Sequence, residues 1–212
     1  WWGCHARGEV IVVRYADDWV AGFQHRDDAE RFWREVSERL GQFGLKLHPD
    51  KTRLIEFGRF AQDNRRQRGQ GKAQTFDFLG FTHCCGKTLA GKFTVLRLIS
   101  AKRLRAKLQA VKVELRRRMH QPIAQQGEYL QSVVTGHTRY FGVPRNGARL
   151  RTFRHQVAGL WHHVLCRRSQ SRNLPWRRMY DLIARWLPIP HICHPYPSQR
   201  LIVTTRGKSR VR

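Results

Sequence analysis

The chain opens on a β-rich apolar pattern interrupted by a polar centre. Residues 9–23, Glu-Val-Ile-Val-Val-Arg-Tyr-Ala-Asp-Asp-Trp-Val-Ala-Gly-Phe, place two β-rich apolar runs around a short polar centre. This predicts a β-hairpin with Ala16, Asp17 and Asp18 at or near the turn. Over residues 27–43 the spacing becomes helical, with Ala29, Phe32, Trp33, Val36, Leu40 and Phe43 on one face. Asp27, Asp28 and Glu30 favour the start of that helix, and Gly44 is placed to end it. The next segment predicts a short strand from Leu45, a turn at His48-Pro49-Asp50 and a second strand through Ile55 and Phe57. Residues 58–74 are polar, with Gly58, Gly69 and Gly71, and predict a flexible loop. Phe76-Asp-Phe-Leu-Gly-Phe-Thr and residues 92–99 predict strands joined by a turn between Gly86 and Gly91.

From Ser100 the pattern is helical throughout. Ser100 is a candidate cap for a helix to about His120, with Leu104, Leu108, Val111, Leu115 and Met119 as its apolar stripe. A second helix fits 127–141. A third fits 150–168, with Leu150, Phe153, Val157, Leu160, Trp161 and Val164 on one face. A fourth fits 175–187, opened by Pro175 and carrying Trp176, Met179, Ile183 and Trp186 or Leu187. Tyr140, Phe141 and Trp161 fall at helical spacings, which favours core positions over base stacking. Four of the eight prolines lie between Pro188 and Pro197 and exclude helix there. The fold class is therefore α+β: a mixed module to about residue 98, then an all-helical one.

Charge separates these modules further. Residues 1–78 hold 14 Lys and Arg against 12 Asp and Glu, a net +2, whereas residues 79–212 hold 27 against 3, a net +24. A field of that size repels itself unless a polyanion neutralises it, so nucleic acid is the expected partner. No apolar run is long enough to span a bilayer, and no signal-peptide pattern opens the chain, so the expected setting is cytoplasmic and without a membrane. The five cysteines, Cys4, Cys84, Cys85, Cys166 and Cys193, have no disulfide-framework spacing and read as reduced thiols. His83-Cys84-Cys85 and His191-x-Cys193-His194 match no common zinc pattern.

Tyr15-Ala16-Asp17-Asp18 is the sharpest chemical feature. Two carboxylates at a hairpin tip form a rigid hard-oxygen site of the kind that suits Mg²⁺, which takes one or two carboxylates with waters and substrate phosphates. Two-metal nucleotidyl transfer needs such a site. Asp-Asp is also a common turn sequence, so four residues alone decide little.

The following segments decide more, because their order resembles the reverse transcriptase palm. Val10 to Val20 resemble its metal-binding hairpin, motif C. Gly44-Leu-Lys-Leu-His-Pro-Asp-Lys-Thr resembles motif D, and Phe76-Asp-Phe-Leu-Gly-Phe resembles motif E. The resemblance implies Asp17 and Asp18 as catalytic Mg²⁺ ligands and Lys51 beside the departing pyrophosphate. It also implies Phe78, Leu79, Gly80 and Phe81 as a hairpin supporting the primer end, though packing is the favoured role of the apolar three. Val134-Thr-Gly-His-Thr-Arg-Tyr-Phe-Gly, with the helix after it, resembles more loosely the basic thumb of group II intron reverse transcriptases, the maturase domain or domain X. A retron-type or diversity-generating enzyme would share the palm without this thumb.

This resemblance implies a partial palm over 1–98, a maturase-like thumb over 99–190 and a basic tail over 191–212. Candidate contacts to intron RNA and template–primer duplex are Arg97, Lys102, Arg103, Arg105, Lys107, Arg116, Arg117, Arg118, Arg139, Arg151 and Arg154. Trp19 stands where the family commonly has Phe. The 212 residues begin just before motif C, so the fingers and the palm strand with the other catalytic aspartate are expected on a further segment, and the two-metal site is only partly present. No DNA-binding or HNH endonuclease segment is recognisable after the thumb. The expected function is part of an RNA-directed DNA polymerase and maturase of a mobile intron, acting in splicing and retrotransposition. The alternative is a non-catalytic RNA-binding or splicing protein derived from one.

Overall fold

The computed structural model describes residues 5–88, 90–168 and 174–195. The fold is α+β, with small antiparallel sheets and six helices among the described residues. The chain divides into two compact units after Phe78.

The first unit is built on the predicted hairpin. β1 (Val10–Tyr15) pairs antiparallel with β2 (Asp18–Phe23), from Val10 opposite Phe23 to Tyr15 opposite Asp18. Ala16 and Asp17 are left as a two-residue loop. The first helix, α1 (Arg26–Gly41), covers one face of this hairpin. Phe32 meets Trp19 edge-on at 5.8 Å and Phe23 at 5.1 Å. Because side chains alternate along a strand, the opposite face carries Ile11, Val13, Tyr15 and Asp18. Ile11, Val13 and Tyr15 are 53%, 49% and 64% exposed. One face of the hairpin is therefore packed and the other is apolar and open.

Gly44 ends α1 as its position suggested. Its φ is +70°, its N–H donates to the Gly41 carbonyl, and the Leu45 N–H reaches back to Leu40. Those two bonds make a Schellman motif, which satisfies carbonyls the helix end would orphan. Asp28 does more than favour the helix start. It is 3% exposed and accepts the backbone N–H groups of Arg7 and Gly8, tying the N-terminal segment to α1. Burial alone would raise its pKa; the two N–H donors and the Arg7 guanidinium outweigh burial and hold it below the ordinary value.

Two expectations fail between α1 and the next strand. Residues 45–57 form no strands, although the turn near His48 is present, with Thr52 N–H bonded to the His48 carbonyl. Their backbone is held by side chains instead: Gln74 accepts the Glu56 N–H, and Arg53 donates to the Thr75 carbonyl. The stretch read as a flexible loop contains α2 (Ala61–Gln67). It has no apolar stripe, and Ala61 is its one buried residue. Glu56 holds it by accepting from Asn64 at 2.9 Å and from Arg68. Those bonds, Asn64 first, draw the Glu56 carboxyl below its ordinary pKa against the opposing effect of burial.

The third strand, β3 (Phe76–Phe78), closes the first unit. The segment read as one strand breaks immediately after it, because Leu79 and Gly80 both take positive φ, +49° and +78°. β4 (Phe81–Lys87) then pairs with β5 (Phe93–Ile99), from Phe81 opposite Ile99 to Lys87 opposite Phe93. Gly86 lies inside β4, so the reversal falls at residues 88–92, with Gly91 at φ +73°.

Four helices complete the second unit: α3 (Ala101–Arg117), α4 (Ile123–Phe141), α5 (Gly147–Arg168) and α6 (Trp176–Trp186). Ser100 occupies the N-cap position of α3 without a side-chain capping bond. α4 begins a turn before the reading, at Pro122, because a proline with no N–H loses nothing at a helix start. The core gathers around α5: Phe153, Val157, Trp161 and Val164 pack with Val111 and Leu115 of α3, Leu130 and Val134 of α4, and Met179 of α6. Burying each such side chain contributes about 1.5–3 kcal/mol. Trp161 is core as expected, at 0% exposure; Tyr140, at 53%, is not.

Two buried amides join these elements. The Gln126 amide donates to the carbonyls of Arg118, Met119 and Gln121, closing the end of α3, while its oxygen accepts the Trp161 indole N–H at 3.0 Å. Asn146 accepts the Ile99 N–H and donates to the carbonyls of Arg97 and Phe141. It thereby fastens β5 to the junction of α4 and α5.

Candidate functional site

The hairpin tip carries the first group of candidate residues. Asp17 and Asp18 are exposed, and their carboxylates make no hydrogen bond or ion pair among the described residues. The turn is built around Ala16, whose φ of +53° is left-handed. The primed turns that suit a two-residue hairpin need such a value, and an alanine holds it at some strain. Arg14 fixes the turn from beneath, donating through Nε to the Ala16 carbonyl at 2.9 Å. Two hard-oxygen donors adjacent in sequence on a braced turn, unpartnered among the described residues, are of the kind Mg²⁺ takes from a protein. Among the described residues, no group of three or more His, Cys, Asp or Glu side chains comes together.

Lys51 is exposed at the turn that follows α1, its N–H bonded to the His48 carbonyl and its amine free among the described residues. Of the four primer-support candidates, Phe78 is half-buried in β3. The other three are clamped from α4. The Tyr140 hydroxyl donates to the Leu79 carbonyl at 2.9 Å, its ring lies over Phe81, and Phe141 meets Phe81 edge-on at 5.1 Å. The positive φ at position 80 suits glycine, and a Cβ there would make only an ordinary contact with the Phe141 ring. The Ser100 N–H donates to the Gly80 carbonyl and completes the clamp.

The basic candidates fall into distinct environments. Lys102, Arg103, Arg105, Lys107, Arg116, Arg139 and Arg151 are exposed. Arg117 and Arg118 both grip Glu114, which they hold at a pKa of about 2, Arg117 first. Arg118 also lies over the Tyr129 ring at 4.7 Å. Arg97 is half-buried, and burial lowers its guanidinium pKa from the ordinary value. Arg154 is turned inward, donating to the carbonyls of Ile183 and Leu187 at the end of α6. Arg116 instead borders a cleft of about 500 Å³ with Met119, His163, Val164 and Arg167. His163 and Arg167 are cations or potential cations that the residue pattern did not single out. The face appears only once α3 and α5 are packed.

The residues of the unassigned His-Cys motifs have local partners. His194 engages the Arg139 carbonyl at 2.7 Å, and Cys193 donates to the Thr138 carbonyl, so both sit on the end of α4. Cys84, Cys85, Cys166 and Cys193 form no disulfide among the described residues. No helix of the described residues is long and apolar enough to cross a membrane.

No curated protein matches the chain. Residues 3–83, less than half of its length, match the family model for reverse transcriptase (RNA-dependent DNA polymerase), a segment that runs from before the Asp17–Asp18 hairpin into β4.

Proposed function

We propose that residues 1–98 are the C-terminal part of a reverse transcriptase palm and residues 99–190 a maturase-like thumb that holds intron RNA and template–primer duplex. The observation that carries this reading is the Asp17–Asp18 hairpin, two free carboxylates on a braced turn within the matched segment. Residues 79–212 support it with 27 basic residues against 3 acidic ones, a net +24.

In this reading Asp17 and Asp18 would hold Mg²⁺. When bound, the ion supplies Lewis-acid polarisation of a phosphoryl oxygen and lowers the pKa of the attacking hydroxyl. Lys51 would stand by the pyrophosphate as a cation and proton donor. Leu79, Gly80 and Phe81 would back the primer end, with Tyr140 and Phe141 keeping their backbone in place. Arg116 and the exposed Lys and Arg of α3 would face phosphates.

Asp17 and Asp18 would supply metal ligands from one turn alone. Holding two ions at a separation of about 3.5–4 Å calls for a donor facing them. The open apolar face that ends at Asp18 is where a further palm segment carrying that donor would pack, on the same polypeptide or supplied in trans. An intron-encoded polymerase and maturase acting in retrotransposition and splicing is the whole protein this implies.

The test combines RNA binding with primer extension on an RNA template. These 212 residues should bind structured RNA with a steep salt dependence, because each neutralised phosphate releases a counterion. A footprint of about 6–10 phosphates loses on the order of a thousandfold or more in affinity between about 50 and 200 mM salt. Primer extension should be absent, appear when a fingers-and-palm segment is supplied, and vanish again with Asp17→Ala. Salt-insensitive binding would remove the RNA reading. Extension that survives Asp17→Ala would remove the catalytic one.

A further inference from the structure

α6 departs from its sequence pattern in one respect. Trp176 shares the helical spacing of Met179 and Ile183, which predicts a buried ring. Met179 is indeed fully buried, but Trp176 is 46% exposed and Tyr180, one turn later, is 62% exposed. The Trp176 ring is nevertheless fixed. Its inner face stacks on His162 of α5 at 4.2 Å and 23°, and Tyr180 lies 5.8 Å away. His162 is itself held at the Leu174 carbonyl, 2.9 Å from its Nε2. Beside the two rings runs a small groove between α5 and α6, about 180 Å³, lined by His155, Ala158, Trp176, Tyr180 and Ile183.

We infer that this Trp176–Tyr180 ledge is a docking site for an unpaired base of single-stranded RNA, which stacks on the indole and phenol rings. The inference rests on the RNA-binding reading above and gives it a second, non-electrostatic component. Three observations select the occupant. Two large aromatic rings exposed one helical turn apart, already oriented by packing, lose little freedom when a flat ring stacks on them. The groove is smaller than the roughly 300 Å³ at which whole small-molecule sites begin, which suits one ring system. Arg177 and Arg178 are exposed on the same helix, in a half of the chain with a net +24, so phosphates flanking a stacked base meet cations. Paired RNA keeps its bases inside the helix and cannot use such a ledge; loops, bulges and ends can.

The experiment titrates the full chain with a single-stranded RNA of about a dozen nucleotides carrying 2-aminopurine at its centre, beside a hairpin RNA with the same base paired. Stacking should quench 2-aminopurine in the single strand and leave the paired base unchanged. Trp176→Ala and Tyr180→Ala should remove the quench and weaken single-strand binding roughly five- to hundredfold, the range of one lost base–aromatic stack. Both should keep the wild-type salt slope and hairpin affinity, because neither removes a charge, and Trp176→Phe should retain most of the quench. Tyr180 is exposed enough that its alanine variant tests the ledge even if Trp176→Ala disturbs α6. Folded alanine variants that quench and bind like wild type would overturn the inference. Hairpin binding without any single-strand quench would overturn it while leaving the RNA reading intact. Failure to bind either RNA would overturn both.

Discussion

At the scale of single residues, helix α4 contains two glycines that its sequence presents as equals and its surroundings do not. A Cβ at Gly127 would overlap the Trp186 indole, whereas one at Gly136 would meet nothing within 4 Å. Alanine in a helix interior is favoured over glycine by about 1 kcal/mol. Gly136→Ala should therefore raise stability by up to that amount. Gly127→Ala should lower it, because overpacking costs about 1–3 kcal/mol and exceeds the propensity gain. Denaturant midpoints of the two variants should move in opposite directions; a shared direction would mean that Trp186 does not sit against Gly127 in solution. The same contrast shows why Gln126 was not legible. A glutamine among polar neighbours carries no periodic signal, and its role exists only after three carbonyls from the turn that follows α3 and an indole from α5 have been brought to it.

At the scale of elements, α4 and α5 meet through a buried imidazole. His137 is 6% exposed, stacks on Phe153 at 3.7 Å, and has an Nε2 without a hydrogen-bond partner. Burial, and secondarily the charge of Lys107, lower its pKa from 6.5 to about 4. Between those values the unfolded chain takes up a proton that the folded one refuses, so stability falls as pH drops from about 6.5 towards 4 and this group contributes no further loss below. His137→Phe keeps an aromatic ring against Phe153 and should flatten that part of the melting-temperature profile relative to wild type. An unchanged profile would place the pH dependence among the other histidines. The elements themselves divide by how they show in the sequence. The hairpin announces itself through two β-rich apolar runs around a polar turn, and α1 and the four helices of the second unit through the helical spacing of their apolar residues. α2 and the extended stretch before it are held by Glu56, Gln74 and Arg53, and side-chain bonds of that kind leave no period to read. The break after β3 was hidden differently: Leu79 takes a positive φ that leucine seldom adopts, so Phe-Leu-Gly-Phe looks like continuous strand.

At the scale of the whole molecule, a net charge of +26 favours a polyanionic partner but does not say which cations would meet it. Arg116, Arg117 and Arg118 look alike in sequence. The structure commits two of them to Glu114 and leaves Arg116 on the cleft with His163 and Arg167. Arg116→Ala should reduce the salt slope of RNA binding by about one, as for any lost phosphate contact. Arg117→Ala should change it by a fraction of that. Equal slopes across salt titrations of the two variants would mean that Glu114 gives way when RNA arrives. The carboxylate pair was legible from four residues and their order relative to later motifs. The distribution of working and structural cations was not, because it depends on which acid each arginine finds.

The open face of the β1–β2 hairpin has a further consequence. Among the described residues β1 pairs with β2 alone, and three of the first four residues of Val-Ile-Val-Val-Arg-Tyr are exposed apolar side chains. A short β-branched run such as Val10 to Val13, with an edge unpaired among the described residues, is the pattern that seeds edge-to-edge assembly. The surface that would recruit the rest of a palm is thus also one on which two copies can pair with each other. In the reading proposed above, a palm segment covering the open face and a second copy pairing at the β1 edge would compete for this hairpin, and whichever arrives first would decide between assembly and self-association.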